Sequence, residues 1–436
     1  MKTSVQSNQP LTIAERRTLS LASLGGALEY YDFVIFVFFT AVIGKLFFSA
    51  SLPDWMRQLQ TLGIFAAGYL ARPLGGIVMA HFGDTRGRKR MFTLTVLLMA
   101  IPTLLIGVLP TYRSIGVAAP LLLLVMRLMQ GMAIGGEAPG GWVFVAEHAR
   151  RGQVGFAVGL LSSGLSCGIL LGSLVATAVN MVFSQAQIAN GLWRVPFVIG
   201  GVFGFIAMLL RRWLEETPIF EEMRRRAAIS RELPLRTVLR SHGRAIAVSV
   251  ICTWMHTAII TVVILVTPSL LQNLFRLAPH EVQLANLAGT AALCLSTVAM
   301  GAATDRFGIR RVSVPLLLLL IAATYGLYIG AERFPSDLWL LYVFAGIGAG
   351  GSVLTPVVMV HAFPPAVRST GVSFSYNITY GLLGGLTPLL VSWLVHVSRL
   401  GAAHYVAAVT VLGLLATLMA PARHSLNEDF GEEKAA

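Results

Sequence analysis

Five ionisable residues stand inside otherwise apolar stretches of this chain: Glu29, Asp32, Arg72, Arg127 and Glu137. An ionised side chain at the centre of a bilayer costs at least about 2.5 to 3.5 kcal/mol on insertion scales, so each is a functional candidate by default. Glu29 and Asp32 are three residues apart, which puts both on one face of a helix. Carboxylates held so close suit a group that must bind and release a proton. With three carboxylates against two guanidiniums the ionised set sums to −1, and one proton neutralises it. A static buried salt-bridge cluster that only fixes helix packing is the plainer reading, and it weighs most on Arg72, which lies nearer the end of its stretch.

The elements that must carry these residues follow from composition. Of 436 residues 56% are hydrophobic and 12% charged, against a soluble norm of about 45–50% and about 25%. That excess cannot be hidden in one soluble core, and a disordered, collagen-like or disulfide-built chain is excluded as well. Apolar runs of helical length, about 20 residues each, are centred near residues 29, 70, 100, 130, 167, 202, 256, 293, 320, 349, 382 and 411. The reading is an all-α membrane protein of twelve transmembrane helices in two six-helix halves. A cytoplasmic N-terminal segment covers 1–18, the first half 19–212, a cytoplasmic linker 213–242, the second half 243–420 and a cytoplasmic tail 421–436. No cleavable leader is evident at the N-terminus. Cys167, Cys252 and Cys294 sit in apolar stretches without metal-ligand spacing, as small core residues.

The net charge of +13 would point to nucleic acid in a soluble protein; here it reads as topology, with no nucleic-acid partner. With both termini inside, 24 basic residues, Arg88, Arg211 and Arg368 among them, fall on the cytoplasmic side and seven outside, as the positive-inside rule demands.

The halves are related in sequence. Gly83-Asp84-Thr85-Arg86-Gly87-Arg88-Lys89-Arg90 is echoed 221 residues on by Thr304-Asp305-Arg306-Phe307-Gly308-Ile309-Arg310-Arg311, and Gln130-Gly131 through Gly136 by Ala345-Gly346 through Gly351. A positive-inside stop signal needs neither the aspartates nor the glycines. Gly83, Asp84, Gly87, Arg88, Asp305 and Gly308 are therefore read as a conformational gate, in which Asp84 bonds the N-terminus of a helix of the other half near Ser369 and Thr370. His256 reads as a packed histidine or a pocket residue. Tyr376, Asn377 and Tyr380, at i, i+1 and i+4, line the pocket or bond across helices. No nucleophile and base pair, metal cluster or cofactor motif is found, which disfavours an enzyme.

Two six-helix halves related along the membrane normal are the architecture of the major facilitator superfamily. With Arg127-Leu128-Met129-Gln130-Gly131 added, the sequence resembles that superfamily over nearly its whole length. Narrower markers resemble its metabolite:proton symporter family: Glu29-Tyr30-Tyr31-Asp32-Phe33, Ala71-Arg72-Pro73-Leu74-Gly75-Gly76, Gly135-Gly136-Glu137 with Glu147-His148, Trp193-Arg194-Val195-Pro196-Phe197, Glu216-Thr217-Pro218-Ile219-Phe220, and Ser375-Tyr376-Asn377 with Gly384-Gly385. Pro139 and Ile309 depart from the usual pattern. Members of that family carry citrate, 2-oxoglutarate, shikimate, other carboxylates, or proline and betaine.

The resemblance implies a monomeric, multi-pass carrier in a bacterial-type plasma (inner) membrane, taking up a small organic acid with protons by alternating access and using no cofactor. It places the first and fourth spans on the cavity, with Arg127 and Glu137 opposite Glu29 and Asp32. Arg127, with Arg72, would attract the substrate carboxylate, while Glu29, Asp32 and Glu137 carry the proton. The alternatives are a zwitterionic osmolyte symporter, a drug-efflux antiporter and a non-transporting membrane receptor. Osmosensing relatives bear a long C-terminal coiled coil, whereas the tail here has no heptads.

Overall fold

A chain segment in hydrocarbon must satisfy its backbone internally, and a helix does so within one segment. The computed structural model describes residues 12–150, 152–225 and 234–420, and among them there is no strand. Arg151, most of the N-terminal segment (1–11), the middle of the linker (226–233) and the tail (421–436) lie outside the described residues. Among the described residues twelve helices have membrane length and composition. Spans 1 to 6 are Glu15–Phe38, Trp55–Arg86, Arg88–Val108, Ala118–His148, Val154–Val182 and Leu192–Arg212. Spans 7 to 12 are Gly243–Phe275, Pro279–Phe307, Ile309–Arg333, Pro335–Ala362, Pro365–Val397 and Gly401–Leu418. The first helix starts earlier than its apolar run, at Ile13, because Thr12 and Glu15 form a capping box (Glu15 N to Thr12 Oγ1 3.3 Å; Thr12 N to Glu15 Oε2 2.7 Å). Large apolar side chains on outer faces, such as Leu70, Leu74, Leu389 and Trp393, stay exposed, as a lipid-facing surface requires.

Glycines decide which helices approach. A Cβ on Gly131 of span 4 would lie 1.9 Å from the carbonyl oxygen of Gly68 in span 2, and one on Gly346 of span 10 would lie 2.0 Å from that of Gly289 in span 8. The two repeated motifs therefore do the same job in each half, bringing span 4 onto span 2 and span 10 onto span 8. Gly131→Ala must push two backbones apart. Its thermal midpoint in detergent should fall by several degrees, by the roughly 1–3 kcal/mol of an overpacked core, while Gly140→Ala, with nothing within 4 Å of the added carbon, should leave it in place.

The halves meet along spans 5 and 8 and along spans 2 and 11, with span 4 also touching spans 10 and 11. Three helices change pitch within the bundle: the backbone widens to π geometry over Ile259–Val266 in span 7 and Tyr380–Gly384 in span 11, and tightens to a 3-10 helix over Gly350–Val353 in span 10. Such bulges mark functional positions more often than plain helix does.

Candidate functional site

Arg72 of span 2 lies at the middle of the bundle, fully buried. Its guanidinium carbon stands 4.3 Å from the ring centre of Tyr380, and 5.4 Å from those of Tyr376 and Tyr69. Tyr69 precedes it by three residues on the same face; Tyr376 and Tyr380, one turn apart, come from span 11 at the edge of the π segment. His256 of span 7 and Trp142 of span 4 close the ring behind Tyr376, at 6.0 and 5.0 Å between ring centres. The His256 Nδ1 lies 3.2 Å from the Ser352 carbonyl oxygen. Both halves thus contribute to one aromatic enclosure. Nε, Nη1 and Nη2 of Arg72 have no hydrogen-bond partner of good geometry, and no carboxylate pairs with it among the described residues. This buried cation is held by ring faces and by the Tyr376 hydroxyl beside it rather than by a counter-charge.

Asn377 is not brought to this guanidinium. Its amide nitrogen donates to the Gly135 carbonyl oxygen at 2.6 Å and that of Ser373 at 2.9 Å, tying span 11 to span 4. The 100° between i and i+1 turns it away from the face that carries Tyr376 and Tyr380.

Arg127, also fully buried, occupies a separate box made of Phe36, Phe33 and Phe65, at 4.4, 4.7 and 5.2 Å. Its Nη1 donates to Gln130 Oε1 (2.8 Å), and Gln130 Nε2 in turn donates to Thr103 Oγ1 (2.7 Å). Nε and Nη2 have no partner.

The acids are arranged differently from the expected facing sets. Glu29 does not pair with Asp32, and Arg127 does not stand opposite either. Instead Arg211 of span 6 bridges Glu29 (Nη2 to Oε1, 2.7 Å) and Glu137, and also donates to the Phe92 carbonyl oxygen. Thr95 adds a hydrogen bond to Glu137 Oε2 at 2.6 Å. Asp32 lies against Gly200 and Gly204 of span 6 with the Thr103 hydroxyl beside it, fully buried and with no cation paired to it among the described residues. Counting Arg211 corrects the charge balance: three carboxylates face three guanidiniums, so the ionised set is neutral rather than −1.

Arg88, Arg211 and Arg368, counted above as cytoplasmic charges, are all buried in the bundle. Arg88 is one of the gate residues of the repeated loop, whereas nothing in the sequence separates Arg211 and Arg368 from stop-transfer charges, since each stands at a helix end beside polar residues. Arg88 and Arg368 belong to a network at the basic end of the bundle, the end bearing Arg86 to Arg90 and Arg306 to Arg311. There Asp84 accepts from the backbone of Ser369 (3.3 Å) and Thr370 (2.9 Å) and from the Thr370 hydroxyl (2.7 Å), and pairs with Arg88 at 2.9 Å. Glu147 receives Arg368 at 3.1 Å, Arg88 at 3.4 Å and the Thr217 hydroxyl at 2.8 Å. Arg88 donates on to the carbonyl oxygens of Gly83 and Pro365. Glu216 of the linker caps span 3 through the N–H groups of Arg88 and Lys89 (3.0 and 3.1 Å). Asp305 repeats the Asp84 contact in mirror order, accepting from the backbone of Gly155 (2.8 Å) and Phe156 (2.7 Å) where span 5 begins. Gly87 and Gly308 turn these loops with φ of 120° and 84°, a region that favours glycine. The basic end is closed by two carboxylates, each crossing from one half to a helix start in the other.

Comparison with known proteins agrees with this architecture. The sequence profile of the Major Facilitator Superfamily matches residues 34–266 and 246–436. The chain belongs to that superfamily. It is 30% identical over 416 residues to the proline/betaine transporter of Escherichia coli K12, covering 92% of this chain and 82% of that one. It is 29% identical over 409 residues to the putative proline/betaine transporter of Staphylococcus aureus COL, covering 92% and 87%. Among solved structures, the proton:xylose symporter XylE bound to 6-bromo-6-deoxy-D-glucose superposes with a TM-score of 0.76 at 16% identity, covering 93% of this chain and 94% of that one. As a facilitator-superfamily protein the chain is a multi-pass membrane transporter and not an enzyme. The relatives are of the type that the six motifs pointed to.

Proposed function

We propose that this transporter takes up a small organic acid together with protons across a bacterial-type plasma (inner) membrane, with both termini cytoplasmic and the basic end facing the cytoplasm. The observation that carries the reading is Arg72: a buried guanidinium with no carboxylate partner among the described residues, enclosed by side chains of both halves, is a site for an anion that arrives with the substrate. Tyr376, Tyr380 and His256 shape that site, Arg127 lies next to it, and the Glu29, Glu137 and Arg211 cluster with Asp32 holds the coupling protons. A zwitterionic osmolyte is the second reading. It is favoured by the names of the relatives and by the tyrosine faces around Arg72, which would also hold an onium group. Proteoliposomes offered labelled mono- and dicarboxylates, proline and betaine, with and without an inward proton gradient, separate the two. Gradient-driven accumulation of an acid supports the first; accumulation of betaine alone replaces it with the second.

Closure at the basic end makes Asp84 the gate in this reading, with Asp305 its counterpart. The contact exists only while the cytoplasmic side is shut. Asp84→Asn should remove roughly 1 kcal/mol from that state, the upper part of the exposed helix-terminus range, and shift the balance of states about fivefold. Single cysteines in the cytoplasmic half of the cavity should then label faster and periplasmic ones more slowly, with transport reduced. Unchanged labelling on both sides would return the loop to folding or insertion.

A further inference from the structure

Among the described residues, the buried arginines of the bundle divide into two groups. Arg88, Arg211 and Arg368 each have a carboxylate partner. Arg72 and Arg127 have none, and between them they leave five guanidinium nitrogens without a hydrogen bond of good geometry, the Tyr376 hydroxyl being the polar group beside Arg72. Both belong to one aromatic column: Tyr69, which faces Arg72, contacts Phe33 and Phe65 at 5.3 and 5.0 Å between ring centres, and those two rings face Arg127. Gly68 packs at the level of Arg127, where an added Cβ would meet its carbonyl oxygen at 3.1 Å, and Arg72 comes four residues later. The backbone of Arg72 therefore lies about one helical turn, roughly 6 Å, from the level of Arg127, and Tyr69 touches the aromatic groups that face each of them.

The acids show the matching surplus. Two carboxylates, Glu29 and Glu137, share the single cation Arg211, with Thr95 the further donor, so one of them is in excess. Asp32 is the second: among the described residues the groups around it are Thr103 of span 3, Gly200 and Gly204 of span 6 and the neighbouring Tyr31, none of them a cation, and Glu29 is the acid one turn away on its own helix. Two buried cations lack anions, and two buried acids lack cations.

We infer that Arg72 and Arg127 are two anion subsites of one site, and that the substrate is a small dicarboxylate that moves with two protons, one held at Asp32 and one shared by Glu29 and Glu137. Each guanidinium takes one carboxylate of the dianion. Each surplus acid is neutralised by its proton, so the loaded carrier crosses without net charge. This rests on the organic-acid reading above and adds the count of anionic groups and protons.

The test uses the full chain in proteoliposomes with succinate, glutarate and adipate, each set against its monocarboxylate analogue of equal carbon number. At equilibrium one pH unit should balance about a hundredfold gradient of the preferred dicarboxylate, two protons at tenfold each, with no response to an imposed membrane potential. Asp32→Asn should lower that to about tenfold. Arg127→Gln should weaken the dicarboxylate about tenfold more than its monocarboxylate analogue, as loss of one charged hydrogen-bonded pair requires. A tenfold gradient per pH unit in the wild type, or accumulation of a monocarboxylate with no dicarboxylate accumulated, overturns the two-subsite inference and leaves the organic-acid reading standing. Accumulation of neither class, with betaine taken up, rejects both.

Discussion

Arg72→Lys should weaken substrate binding at least thirtyfold although the positive charge is kept. A guanidinium is planar: it can stack on a ring such as that of Tyr380, whose centre lies 4.3 Å from the Arg72 guanidinium carbon, while presenting two parallel N–H donors to a carboxylate, and an ammonium does neither. The loss combines a desolvated cation–π contact, about 2 kcal/mol, with part of a charged hydrogen-bond pair, about 1.5–3 kcal/mol, and at 1.4 kcal/mol per decade this amounts to between about thirtyfold and a thousandfold. The shorter ammonium also remains buried without a partner, so a thermal melt of the variant must accompany the titration. Quenching of Trp142, whose ring contacts Tyr376 at 5.0 Å, gives the affinity directly. A dissociation constant within threefold of wild type, in a variant that melts normally, would remove Arg72 from substrate recognition and leave it a packing residue.

How much of this is legible in the sequence differs between the frame and the site. The twelve spans are, because an apolar run of about 20 residues has few other uses, and so are the two halves, because the loops after spans 2 and 8 repeat the same aspartate and glycine at the same interval. The helix starts that Asp84 and Asp305 reach lie in the other half, and helix-terminus chemistry alone points to one of them, at Ser369 and Thr370. What composition cannot show is pairing. Glu29 and Asp32 share a helix face by spacing, yet a face of a buried helix meets several neighbours. Here Glu29 turns to spans 4 and 6 while Asp32 meets glycines of span 6, Thr103 and no cation among the described residues. Arg211 is hidden by its neighbour Arg212 and the polar linker, which make it look like one more loop charge. Tyr69 is within reach: it stands three residues before Arg72, the spacing at which side chains on a helix meet.

Glu137→Gln should cut the gradient that one pH unit supports from about a hundredfold to about tenfold, the share left to Asp32, while leaving substrate exchange in place. In the wild type one guanidinium, Arg211, serves two carboxylates, and a proton on either relieves the surplus charge. The amide removes that surplus permanently. Glu29 and Arg211 then form a balanced pair at 2.7 Å, so Arg211 is not left as an uncompensated buried charge, which would cost about 3–5 kcal/mol. The amide oxygen that takes the place of the carboxylate can still accept from the Thr95 hydroxyl. The fold is therefore expected to survive, and with it the passage of loaded carrier in both directions. Counterflow of labelled substrate should stay within a few fold of wild type, and an inward gradient of one pH unit should raise the internal concentration only about tenfold above the external one, the share of the single proton left at Asp32. Arg211→Gln makes the opposite change, leaving two carboxylates without a cation, and should lose exchange as well as accumulation. If Glu137→Gln accumulates substrate as the wild type does, this cluster carries no coupling proton, and Asp32, the remaining unpaired acid, becomes the sole site for one.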